Sequence, residues 1–219
     1  MNNEKLAGIL LLLVLVPFVD SQGQTSPTSD FRPLTQEMLN NPNPDDWLMW
    51  RGGYENWGYS PLDQITRDNV DRLSLAWSWA FAPAAMGSNG MQVEPTVYGG
   101  IMYLRHANEK YSAHDAATGD QIWEYSRPIT GEVIQGDTRL TIHRGRGVFI
   151  YGNKLISHAT DGMLFALHPA TGQLLWESAM VDYRSGQQPS GAPVAYGRIV
   201  VVPYNCTAWT AAGLCHLSA

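Results

Sequence analysis

The chain has 219 residues, 44% of them hydrophobic and 16% charged, which suits a folded globular protein and excludes a disordered one. Fourteen Lys and Arg against 20 Asp and Glu leave a formal net charge of −6 with no long basic run, so nucleic acid is not an expected partner. The length allows one sizeable core or two small ones, and 21 Gly, 13 Pro and 8 Trp imply many turns and large aromatic anchors.

Residues 1–23 read as a secretory signal. Lys5 supplies a short positive region, and Leu6 to Val19 is mostly apolar. Asp20-Ser21-Gln22-Gly23 offers small residues for cleavage after Ser21 or Gly23. The alternative is an uncleaved anchor, but the apolar stretch falls short of the roughly 20 residues that span a bilayer. No Cys follows it to carry a lipid, and nothing later is long and apolar enough to cross a membrane. The chain is expected to be exported.

Residues 24–46 are polar and punctuated by Pro27, Pro33, Pro42 and Pro44, which predicts an extended lead-in with one helical turn at Leu34–Leu39. The globular part, residues 47–219, opens on Trp47-Leu48-Met49-Trp50. Arg51-Gly52-Gly53 and Trp57-Gly58-Tyr59-Ser60-Pro61 are turn-rich and aromatic. Thr66-Arg67-Asp68-Asn69-Val70 predicts a short helix with Thr66 as N-cap. The alternating aromatic run Leu75 to Phe81 predicts a strand.

A repeat then takes over. Pro95 to Leu104, Gly147 to Ile156 and Pro193 to Val201 each read as strand, Tyr-Gly turn, strand. Glycine supplies the positive φ that a tight hairpin needs. Each of the first two hairpins leads to a third strand, Lys110–Asp115 and Met163–His168. A Thr-Gly turn follows, then a fourth strand expected to end around Trp123 or Trp176. Ala113-x-x-x-x-Thr118-Gly119-x-x-x-Trp123 returns as Ala166-x-x-x-x-Thr171-Gly172-x-x-x-Trp176, displaced by 53 residues. Four short antiparallel strands per unit is a propeller blade, so the fold class is all-β, a partial β-propeller. Ala219 falls one further period after Ala166, and the sequence reads as a fragment of two blades and the start of a third. The two tryptophans are expected either to cover the neighbouring blade's turn or to sit in their own blade's core. The shared template favours docking between blades.

The paired Ala-x-x-x-x-Thr-Gly-x-x-x-Trp segments resemble the tryptophan-docking motifs of the quinoprotein alcohol dehydrogenases. Asp46-Trp47-Leu48-Met49, Tyr59-Ser60-Pro61-Leu62, Gly100-Ile101-Met102-Tyr103 and Arg146-Gly147-Val148-Phe149 are similar to further stretches of that family. The resemblance implies an eight-bladed parent fold with pyrroloquinoline quinone (PQQ), usually with Ca²⁺, on the propeller axis. It also implies a periplasmic location, oxidation of an alcohol to an aldehyde or ketone, and electrons leaving to a cytochrome.

Position by position, the resemblance puts Arg146 over the quinone carbonyls and Thr160 in hydrogen-bond reach of the cofactor. Where the family has Glu three residues before the blade-opening Pro, this chain has Gln92, with Glu94 next to Pro95. The family's adjacent Cys pair is replaced by Leu140-Thr141, and no Asp or Glu follows Asp182 to ligate Ca²⁺ in the third blade. The usual Asn ligand and the catalytic Asp would lie past Ala219, so no catalytic residue is assigned and the chain alone is expected to be inactive. Cys206 and Cys215 are either a disulfide or two free thiols; an even count in an exported chain, and a similar Cys…Cys insertion in some family members, favour the disulfide. The six His show no metal-ligand spacing, and no phosphate loop, dinucleotide fingerprint or nucleophile elbow is present. Two functions remain: part of a PQQ-dependent alcohol dehydrogenase, or a non-catalytic propeller of the same repeat that binds proteins.

Overall fold

A computed structural model describes residues 31–80, 92–106, 109–128, 146–182, 187–189 and 191–206. The signal segment, Leu140-Thr141, Phe81 and Cys215 lie outside the described residues.

Two four-stranded antiparallel sheets follow one another along the chain. The first contains β1 (Thr96–Tyr98), β2 (Ile101–Arg105), β3 (Lys110–Asp115) and β4 (Gln121–Ser126), in that spatial order. The second contains β5 (Phe149–Tyr151), β6 (Lys154–His158), β7 (Met163–Leu167) and β8 (Leu174–Ala179), again in sequence order. β10 (Val194–Tyr196) and β11 (Ile199–Val201) form the third hairpin, and β9 (Gln187–Pro189) pairs with β12 (Tyr204–Cys206). All three hairpins close in the same register, Tyr98 against Ile101, Tyr151 against Lys154 and Tyr196 against Ile199. Gly99, Gly152 and Gly197 each open the turn at a left-handed φ near +60°.

The repeat template has a cross-strand meaning. Ala113 pairs with Trp123, and Ala166 pairs with Trp176. A small residue opposite a large one leaves room for the indole on the sheet face. A β-bulge follows this pair in both blades, with Ile122 of β4 and Leu175 of β8 as the extra residue, and bends the fourth strand at the same place. The tryptophans therefore stand third in β4 and β8, not at the strand ends as expected from sequence.

The Thr-Gly turns are closed locally. Asp115 Oδ1 accepts from the amides of Ala117 and Thr118, both at 2.9 Å. In the second blade His168 Nδ1 takes over by accepting from Ala170 N at 3.2 Å. A ring nitrogen thus replaces a carboxylate in the same turn, which explains why the motif tolerates His168.

Tyr103, Tyr111, Phe149, Ile150, Leu155 and Phe165 form the centre of the core, with Tyr111 edge-on to Phe165 at 5.1 Å. The lead-in joins that core. Leu34 and Gly152 exchange backbone hydrogen bonds, as do Trp47 and Val97. Leu34 and Leu39 are fully buried. The predicted helical turn is α1 (Gln36–Asn40), capped by Thr35, whose Oγ1 accepts from Met38 N.

Two expectations need correction. The 3₁₀ turn is Val70–Arg72, with Asn69 and not Thr66 at its N-cap; Thr66 O accepts from Val70 N at 3.0 Å, and the Asn69 side chain accepts from Thr66 N at 2.7 Å. Among the described residues Leu75–Ala80 belongs to no sheet. Side chains hold it instead, with Trp77 Nε1 donating to Ala116 O at 3.2 Å and Trp79 packed on His114 at 4.7 Å.

Candidate quinone-facing end

Strand direction decides which residues meet. The inner strands β1, β5 and β10 run away from one end of the blades, and β2 and β6 return to it. That end collects the blade-opening segments 92–95, 146–148 and 191–193, together with the loops after β2 and β6. Thr96 Oγ1 donates to Val148 O at 3.0 Å and ties the first two openings together in a buried position. A Cβ placed on Gly147, whose φ is +132°, would stand 3.5 Å from Ala192 Cβ and 3.6 Å from Glu94 O. Segments of three blades thus meet within van der Waals reach at Gly147.

Of the four residues predicted for the cofactor, Gln92 and Arg146 are exposed at this end. Glu94 and Thr160 are at the same end but committed elsewhere. Glu94 Oε1 accepts from Trp47 Nε1 and from Arg51 N at 2.9 Å. Arg51 has φ +57°, an unfavourable conformation for a non-glycine residue, so this carboxylate supports a strained turn. Thr160 is 3% exposed, and both its amide and its hydroxyl donate to Glu109 Oε1. A hydroxyl has one proton, so Thr160 can only accept from anything else it meets. Sequence reasoning passed over Glu109, Ala192 and Gly191, because nothing in spacing along the chain places a loop glutamate or a Gly-Ala beside the openings of other blades.

The repeat residues lie away from this cluster and join the blades. Trp123 is buried, its Nε1 donates to Pro169 O at 2.7 Å, and its ring would be 2.6 Å from a Cβ on Gly172. Trp77 stands in the same relation to Gly119, also at 2.6 Å. Ala116 and Gly119 are each one 53-residue period before Pro169 and Gly172. Trp77 is thus a second instance of the contact, missed in sequence because no Ala-x-x-x-x-Thr-Gly precedes it. Thr118 and Thr171 are exposed and close their turns on Asp120 N and Gln173 N. Trp176 is half-buried against the core. Cys206 ends β12.

Repeated four-stranded antiparallel sheets, packed side by side with their inner strands converging, define a β-propeller. Residues 47–175 match the family described as "PQQ: Glucose/ethanol/alcohol dehydrogenase, beta-propeller domain", and the chain belongs to that family. It is 31% identical over 169 residues to an alcohol dehydrogenase (quinone), dehydrogenase subunit, of Gluconobacter oxydans, covering 74% of this chain and 22% of the relative. It is 32% identical over 157 residues to a 1-butanol dehydrogenase (cytochrome c) of Thauera butanivorans, covering 69% and 22%. The solved quinohemoprotein alcohol dehydrogenase from Comamonas testosteroni superposes with a TM-score of 0.68 at 27% identity, covering 83% of this chain and 27% of that one. The chain spans about a quarter of the length of these relatives.

The residues fit an anionic quinone in part. Arg146 offers a charged donor fork suited to a carboxylate or quinone oxygen, and Gln92 offers an uncharged amide. Glu94 Oε1 and the Thr160 hydroxyl proton are engaged internally. Among the described residues no three acidic, His or Cys side chains come together as a cluster that could hold Ca²⁺.

Proposed function

We propose that this chain supplies blades to an exported, periplasmic PQQ-dependent alcohol dehydrogenase, with Arg146 as the main cofactor contact and Gln92 as a neutral one. The convergence of the three blade openings around Gly147, with Arg146 exposed beside it, carries this reading. Bound PQQ would supply the two-electron oxidation of an alcohol to an aldehyde or ketone. The chain's own residues hold and orient: Arg146 favours negative charge on the quinone, and the packed openings at Gly147 and Ala192 form an apolar floor. A cytochrome is the proposed electron acceptor, by analogy with the acceptor in the name of the Thauera butanivorans relative. We assign no catalytic base to this chain, and turnover is proposed to need parts of the relatives' length that it does not span. Ca²⁺ would have to find its ligands there too.

One observation favours a second reading, a non-catalytic scaffold of the same repeat: Glu94 and Thr160 are occupied by Trp47 and Glu109. Titration of the purified chain with PQQ, followed by tryptophan fluorescence, separates the two. Saturable binding weakened about tenfold to a hundredfold by Arg146→Ala is expected, the range for a hydrogen bond to a charged group. No binding, or equal binding by the variant, would support the scaffold.

A further inference from the structure

Beneath the blade openings lies a buried polar network that the quinone reading leaves unused. Glu109 is one of three described non-glycine residues in the left-handed region, with φ +56°. Such strain persists where the surroundings enforce it, and here four donors converge on one carboxylate. Arg105 Nη2 reaches Oε1 at 3.2 Å, Tyr111 OH donates to Oε2 at 2.9 Å, and Thr160 N donates to Oε1 at 3.0 Å, as does the Thr160 hydroxyl. Arg105, Glu109 and His158 are all at least 97% buried. Burial alone would raise the Glu109 carboxyl, but the Arg105 guanidinium and the Thr160 and Tyr111 donors hold it below the ordinary carboxylate range.

The network also runs on to the third blade. His158 Nε2 lies 2.6 Å from Gly191 O. A carbonyl can only accept, so Nε2 carries the proton. Arg105 Nη1 lies 3.3 Å from His158 Nδ1 and 3.4 Å from Nε2, and with Nε2 protonated only Nδ1 can accept from it. Glu109 and Arg105 belong to the first blade, Thr160 and His158 to the second, and Gly191 opens the third.

We propose that Glu109 is a positioning residue for the quinone-facing end: it locks the Thr160 hydroxyl as an acceptor and, through Arg105 and His158, sets Gly191 and Ala192 against Gly147. The function of the network rests on the reading of this end as a quinone site; its geometry does not. A ligand group that meets Thr160 must therefore donate. Removing one partner of a buried ion pair strands the other charge, whereas removing both relieves that penalty. The double variant Arg105→Met/Glu109→Gln is thus the informative one, beside Glu109→Gln.

The test is a comparison of ¹H–¹⁵N spectra of the 219-residue chain. In the double variant the thermal midpoint lost in Glu109→Gln is expected to return, and resonances of β7 and β8 to stay in place. The Thr160 amide proton is expected to move upfield on losing its charged acceptor, and Gly191 to Val194 to shift and broaden. A double-variant spectrum identical to the parent at Gly191–Val194, or changes spread evenly over both blades, would overturn positioning. A PQQ titration forms the second arm. If the parent binds and the double variant binds at least tenfold more weakly, the proposal stands; equal affinity overturns it. A parent that does not bind sinks the quinone reading, while the spectra still decide whether Glu109 positions the three blades.

Discussion

Gly172→Ala is expected to cost far more than the left-handed conformation of Gly172 alone explains. An added Cβ would lie 2.6 Å from Trp123 Cε3 and 2.8 Å from Cδ2, about 1 Å inside ordinary carbon–carbon contact. The indole must retreat, which breaks the 2.7 Å bond from Trp123 Nε1 to Pro169 O. An alanine held at φ +71° costs about 1–2 kcal/mol. Overpacking adds about 1–3 kcal/mol, and the lost hydrogen bond about 1 kcal/mol. The sum is roughly 3–6 kcal/mol, a large share of a typical folding free energy of about 5–15 kcal/mol. Gly152→Ala is the control, because Gly152 has φ +60° with nothing within 4 Å of its Cβ. Only about 1–2 kcal/mol is expected there. Gly119→Ala, whose Cβ would meet Trp77 at 2.6 Å, should behave like Gly172→Ala. Urea unfolding of the three variants by circular dichroism makes the comparison. If Gly172→Ala is no worse than Gly152→Ala, the indole does not carry the blade contact and the reasoning fails.

Two further outcomes are expected. Burial, reinforced by the charge of His114 and only partly opposed by Glu124, lowers His106 to about 4 from its ordinary value of 6.5. The unfolded chain therefore binds more protons between those values, and stability falls as pH drops from about 6.5 toward 4 and is flat above. His106→Gln should flatten the urea midpoint over that window. For Cys206 and Cys215 a disulfide is proposed in exported material; intact-mass analysis after alkylation without reductant should find no modified thiol, and two labelled thiols would refute the pairing.

The strand pattern was legible because it is local. Period-two runs, Tyr-Gly turns and the 53-residue return located the hairpins to within two residues, and Lys110–Asp115 coincides with β3. Errors fell where local rules compete with side-chain chemistry. Thr66 and Asn69 are both good caps, and only the folded turn shows Asn69 folding back on Thr66 N. The aromatic alternation of Leu75–Trp79 reads as a strand, yet its order comes from indoles docking on another segment, not from a ladder. Leu34 and Leu39 sit in a segment that looks polar, and they are buried because Leu34 pairs with Gly152, far along the chain.

The cofactor candidates divide along the same line. Gln92 and Arg146 were named from position, and both are exposed at the converging end. Glu94 and Thr160 come from the same positional reading, but folding commits Glu94 Oε1 to Trp47 and Arg51 and the Thr160 hydroxyl proton to Glu109. Residue type and spacing by themselves determined the repeat, its period and the family, since each rests on contacts within one blade or on resemblance along the chain. The tertiary structure alone decided which indole covers which glycine and which polar atoms remain for a ligand. Those outcomes depend on groups about 50 residues apart meeting at hydrogen-bond distance, and no periodicity encodes that.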